Sequence, residues 1–84
     1  MGNVAVTFKI MPESPDTDLE KIKKEISKKI EIKDSKIEPV AFGLKSLRVL
    51  VVVPDKSIEN IENEIRSVEG ISEVEVESST LLSH

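Results

Sequence analysis

The chain has no cysteine, tryptophan or tyrosine, and its one histidine is the last residue. Without cysteine there are no disulfides, no iron–sulfur clusters and no thiolate zinc sites. A metal carrier built on a CxxC loop is therefore excluded. His84 alone makes no histidine-rich site, so no metal and no cofactor are expected. No apolar run approaches the roughly 18–20 residues of a membrane span. The opening "MGNVAV" has neither the charged start nor the long apolar stretch of a secretory signal. It also lacks the usual myristoylation pattern. The expectation is a soluble cytoplasmic protein without membrane contact. The aromatic content is two phenylalanines. Modules that stack bases on a sheet need aromatics there, so no direct nucleic-acid binding is expected.

What the chain does contain is mainly Ile, Val, Leu and charge. Apolar residues make up 38% of 84 positions and charged residues 33%. A chain of this length supports one small core, so residues 1–84 are read as a single domain. Net charge is −4 and unevenly spread: residues 1–48 carry ten basic and eight acidic side chains, residues 49–84 two basic and eight acidic. A net acidic chain does not suit a phosphate backbone. The lysine-rich segment 21–29 reads either as a solvated helix face or as a guide toward an acidic partner.

Periodicity supplies the elements. "NVAVTFKIM" alternates, with Val4, Val6, Phe8 and Ile10 on one face, which predicts a half-buried strand. "PESPD" stops it. Leu19, Ile22, Ile26 and Ile30 then form one helical stripe. Asp16, Thr17 and Asp18 offer an N-cap, and the lysines come late, as the helix dipole favours. "KIEPVAF" predicts a second strand, placed at a sheet edge because Pro39 has no N–H to donate. "SLRVLVVV" predicts a central strand, with Leu47, Val49, Val51 and Val53 on one face and Arg48, Leu50 and Val52 on the other. Ser57 is expected to cap a second helix with stripe Ile58, Ile61, Ile65 and Val68, ended by Gly70 at the usual C′ position. "ISEVEVE" predicts a last strand with Val74 and Val76 inward and Glu73, Glu75 and Glu77 outward. The order β-α-β-β-α-β predicts a ferredoxin-like α+β sandwich, a four-stranded antiparallel sheet with two helices on one face.

That topology hosts many functions, so residues must choose among them. The first loop, "PESPD", is acidic and glycine-free, unlike an anion cradle. No His–carboxylate or nucleophile–base pair is legible, so the chain is not expected to be an enzyme. The glutamates of the last strand read as a solvated edge that discourages aggregation. Binding remains. In "VAFGLKSL" the chain passes from strand two to strand three, and Gly43 can adopt turn angles closed to other residues. Phe42 beside it either packs under the hairpin as core or stands at its end as an anchor for a partner, a role aromatics favour. Lys45 is either solvated or a charged contact beside that anchor.

The Met11–Pro12 loop, the helix start Thr17-Asp18-Leu19-Glu20, Pro39 and the element Phe42-Gly43-Leu44-Lys45-x-Leu47 occur in order on this frame. Together they resemble the elongation factor 1-beta family, its archaeal branch in particular, and the likeness runs over nearly the whole chain. The resemblance implies a ferredoxin-like exchange domain. It implies a guanine-nucleotide exchange factor for elongation factor 1-alpha, the GTPase that delivers aminoacyl-tRNA to the ribosome. Such a factor loosens GDP and its magnesium ion and lets GTP enter. It places Phe42, Gly43, Leu44, Lys45 and Leu47 at the GTPase-binding surface. Eukaryotic members end with a lysine that reaches toward the magnesium and phosphate site, whereas this chain ends "SSTLLSH" with no lysine after Arg66. The tail residues Leu81, Leu82 and His84 are what the resemblance leaves to approach that site. The alternative is a ligand-sensing regulatory domain of the same topology, dimerising through Leu50 and Val52 on the open sheet face.

Overall fold

The computed structural model describes residues 2–41 and 43–83. Seven elements follow in order: β1 (Asn3–Pro12), α1 (Leu19–Lys29), β2 (Asp34–Pro39), β3 (Lys45–Pro54), a 3-10 turn (Asp55–Ser57), α2 (Ile58–Arg66) and β4 (Ile71–Ser83). The strands form one sheet in the order β2-β3-β1-β4, antiparallel throughout. This is the ferredoxin-like α+β arrangement.

Alternation in β1 and β3 builds the core. Val4, Val6, Phe8 and Ile10 face Val53, Val51, Val49 and Leu47 across the central strand pair, and all eight are buried. Directly opposed apolar pairs of this kind are the unit of sheet stability. Leu19, Ile22 and Ile26 of α1, and Ile65 of α2 with Val68 just past its end, close the core from one side. α1 packs over β3 and α2 beside β4. Helix α1 starts where the sequence places it: Asp18 has extended backbone, and its carboxylate accepts from the N–H groups of Glu20 at 3.0 Å and Lys21 at 3.3 Å. Pro39 ends β2, which is an edge strand as its missing N–H requires.

Several details differ from the sequence expectations. β2 begins two residues earlier than Lys36 and stops at Pro39, where the chain enters the hairpin: Val40 N–H donates to the Leu44 carbonyl at 2.9 Å, and Leu44 N–H turns back to the Ala41 carbonyl. Ser57 makes no side-chain cap: the 3-10 turn before α2 already holds it at φ −97°, ψ −4°, whereas a capping side chain works from extended backbone. Gly70 is not the C′ residue, since α2 ends at Arg66. The carbonyls there are met by the N–H groups of Ser67 and Val68. Gly70 instead turns the chain into β4 at φ +94°. Its carbonyl accepts from Glu13 N–H at 3.0 Å.

The last strand departs most. Val74 is buried, but Val76 is 40% exposed. It lies opposite Phe8 on the edge strand. The register then shifts between Phe8 and Thr7, so that Glu77 is an extra residue before Ser78. Such a bulge bends a strand locally. β4 continues through the tail segment, pairing Ser79 with Val6, Thr80 with Ala5 and Leu81 with Val4.

The open face carries a charged brace. Arg48 of β3 pairs with Glu38 of β2, and its Nε and Nη2 lie 2.8 and 2.9 Å from the two carboxylate oxygens of Glu77 on β4. One guanidinium thus links both edge strands across β1 by charge, with Nη2 donating the hydrogen bond to Glu77.

Candidate functional site

The segments that carry the family resemblance are far apart in sequence and converge at one end of the sheet. β1 brings Pro12 to that end, opposite Ile71. The loop that follows delivers Pro15, Thr17 and the α1 cap, Asp18. The β2–β3 hairpin brings Pro39, paired with Lys45. Pro12, Pro15, Asp18, Ile37 and Lys45 line one shallow groove of about 230 Å³.

The hairpin explains Gly43. Leu44 N–H donates to Ala41 O at 2.9 Å, closing a four-residue turn. Gly43 is third in it, at φ +79°. A positive φ is one that glycine supplies without steric cost. A Cβ on Gly43 would meet nothing within 4 Å, so only the backbone angle requires glycine there.

The remaining expected site residues divide by burial. Gly43 and Lys45 are exposed and Leu44 is half-buried. Lys45 forms no ion pair among the described residues, so its ammonium is available to a partner. Leu47 is fully buried in the core, opposite Ile10 and Ile37. It supports the hairpin from beneath and presents no surface. Phe42 and His84 lie outside the described residues. Sequence reasoning missed Val40, which is 46% exposed at the same end. Its signal was present: an apolar residue directly after the edge-strand proline, where the strand cannot continue.

The chemistry available is that of recognition. Pro15 and Ile37 offer apolar surface above the buried Pro12, Lys45 a free cation, and Asp18 a carboxylate already engaged with backbone N–H groups. Among the described residues, no three His, Cys, Asp or Glu side chains gather as a metal site would require. No described helix is long and apolar enough to cross a membrane.

Leu81 and Leu82 are 70% and 48% exposed, at the opposite end of the sheet. Leu81 lies opposite Val4, eight residues along β1 from Pro12, about 26 Å at the usual rise of an extended strand. The hairpin and the tail are therefore two separate surfaces.

Comparison with known proteins bears on what these surfaces serve. The chain matches the family described as "EF-1 guanine nucleotide exchange domain" over residues 5–82. It is 42% identical to a protein named elongation factor 1-beta from Methanoculleus marisnigri, over 98% of this chain and 100% of the relative. A protein of the same name from Methanothermobacter thermautotrophicus is 48% identical over 90% and 92% of the two chains. Another, from Staphylothermus marinus, is 44% identical over 93% and 94%. Among solved structures, the ACT domain from GTP pyrophosphokinase of Chlorobium tepidum superposes with a TM-score of 0.71 at 19% identity, over 90% of this chain and 88% of that one. At that identity the likeness speaks for the fold alone.

Proposed function

Because the chain belongs to the elongation factor 1-beta family of guanine-nucleotide exchange domains, we propose that it promotes GDP release and GTP loading on elongation factor 1-alpha during translation elongation. Residues 1–84 act in this reading as one exchange domain, in the cytoplasm, without bond chemistry of their own. The observation that supports it is that three of the four family-like segments, separated in sequence, line one groove at the hairpin end through Pro12, Asp18 and Lys45, with the fourth, Pro39, paired to Lys45 beside it.

Exchange is a problem of coupled binding. A factor that binds the nucleotide-free GTPase more tightly than the GDP-bound form weakens GDP by the same ratio. Accelerating GDP loss about a thousandfold requires roughly 4 kcal/mol of added stabilisation at the release transition state. An aromatic anchor with a few flanking contacts supplies energy on that scale, since hot-spot side chains contribute about 2 kcal/mol or more each. Phe42 is assigned that anchor. Val40 and Leu44 are assigned the apolar rim and Lys45 a charged contact. Leu47 holds the hairpin rigid below them. A GTPase that also receives the tail near its nucleotide and magnesium must reach along the length of the sheet.

The reading is tested by measuring affinity for elongation factor 1-alpha in its nucleotide-free and GDP-bound forms. Tighter binding to the nucleotide-free form is expected. Equal affinity for the two forms would mean that the chain binds the GTPase without driving exchange.

A further inference from the structure

The distal half of β4 is held by little. Past the buried Val74, every residue from Glu75 to Leu82 is exposed. β4 is an edge strand whose one neighbour is β1. Its register with β1 shifts twice along this stretch, leaving Glu77 and then Leu82 as extra residues. A bulge interrupts the ladder and lets the strand bend, so backbone pairing alone defines the direction of this half weakly. One side-chain tie crosses the sheet to it. The Oε1 of Glu77, the first extra residue, lies 2.8 Å from Arg48 Nε, and its Oε2 accepts from Nη2 at 2.9 Å. Arg48 stands on β3, two strands away. The same guanidinium also pairs with Glu38, the residue before Pro39 at the base of the hairpin. Lys36 holds Glu38 in turn, at 3.4 Å.

We propose that Arg48 is a positioning residue for exchange: by gripping Glu77 at the bulge and Glu38 at the hairpin base, it fixes the direction of the distal half of β4 relative to the docking end. The proposal rests on the exchange reading, in which the hairpin docks and the tail approaches the nucleotide site of the GTPase. The place of the tie argues for this task. Of the three glutamates on β4, only the one at the bulge is paired; among the described residues Glu73 and Glu75 form no ion pair. A tie at Glu73 or Glu75 would act beside Val74, where the core already holds the strand. At Glu77 it acts where the strand can change direction. Exposed ion pairs contribute little to folding, so what this one supplies is geometry.

The test uses Arg48→Met, which keeps the length of the side chain and removes its charge, and Glu77→Ala, which breaks the tie from the other strand. Both should keep the wild-type circular dichroism and melt close to the wild type. In the free chain, amide hydrogen exchange at 78–83 should quicken by about two- to fivefold, the scale of one exposed ion pair. With elongation factor 1-alpha, the maximal rate of GDP release should fall by about two- to fivefold while the concentration giving half-maximal release stays unchanged. The double variant should be no worse than either single one, since both act through one contact. Unchanged amide exchange at 78–83 in both variants would overturn the proposal. So would a loosened tail with an unaltered maximal rate, or a melting temperature that falls with protection lost at every amide, which marks a structural role. A wild-type chain that leaves GDP release unaccelerated would sink the exchange reading, and the role of Arg48 with it. That failure appears in the unaltered protein, whereas failure of the tie appears only in the variants.

Discussion

Lys45 and Leu47 stand two residues apart on β3, one exposed at the hairpin and one sealed in the core. Their substitutions should therefore fail in different ways. Leu47→Ala removes buried volume and should cost about 2–5 kcal/mol of stability, read as a lower melting temperature. Lys45→Ala should leave melting unchanged and weaken GTPase binding modestly, with a loss that shrinks at high salt, because an exposed charge contact is screened. A loss insensitive to ionic strength would remove the charged contact from the account. Phe42→Ala should weaken binding by about thirtyfold, the equivalent of roughly 2 kcal/mol, with the fold intact by circular dichroism. Leu47 and Lys45 share one face of β3 and both belong to the element that the resemblance placed at the surface; periodicity set Leu47 in the apolar row but could not say where along the strand burial stops. That depends on where the core ends along the strand, and so on how far α1 and α2 reach.

The two helix starts look alike on paper, a polar residue before an apolar stripe, and only one is a side-chain cap. Asp18→Ala should cost about 1 kcal/mol, the usual worth of an N-cap, while Ser57→Ala should leave chemical denaturation midpoints unchanged. The difference was not legible because it lies in backbone angles set by the preceding 3-10 turn. The two positive-φ glycines separate in the same way. Alanine at Gly43 meets no neighbour, whereas at Gly70 its Cβ would stand 3.3 Å from Thr17 Cγ2 and 3.6 Å from Ile22 Cδ1. Gly70→Ala should therefore destabilise more than Gly43→Ala in the same denaturation assay. The strands with clean alternation, β1 and β3, were readable because period two alone fixes their faces. β4 was readable only as far as Val74. The bulge at Glu77 breaks its phase, and no residue type there announces it. At α1, a hydrogen bond and the charge of Lys28, with help from Lys21 and Lys29, hold the Glu25 carboxyl below its ordinary range. Its small contribution is present above the unfolded carboxylate value and fades as pH falls through the lowered folded value.

Across the whole molecule, the architecture separates tasks along the sheet. One end gathers the turn at Gly43, Lys45, the β1 terminus and the α1 cap, drawn from segments that lie up to 33 positions apart between Pro12 and Lys45. The other end carries the uncharged half of β4. Between them the apolar ladder of β1 and β3 and the Arg48 brace keep the two ends in fixed relation. Element order and edge assignment were legible because hydrophobic period and Pro39 determine them. The gathering of the motif residues at one end was not, since it is a product of register. The central claim concerns exchange, and nucleotide release tests it most directly. Elongation factor 1-alpha loaded with fluorescent GDP would be mixed with substoichiometric amounts of this chain and excess unlabelled GTP. The account predicts fast release, with each molecule of the chain acting many times and with the acceleration lost in Phe42→Ala. Release at the spontaneous rate, with the GTPase demonstrably bound, would contradict it.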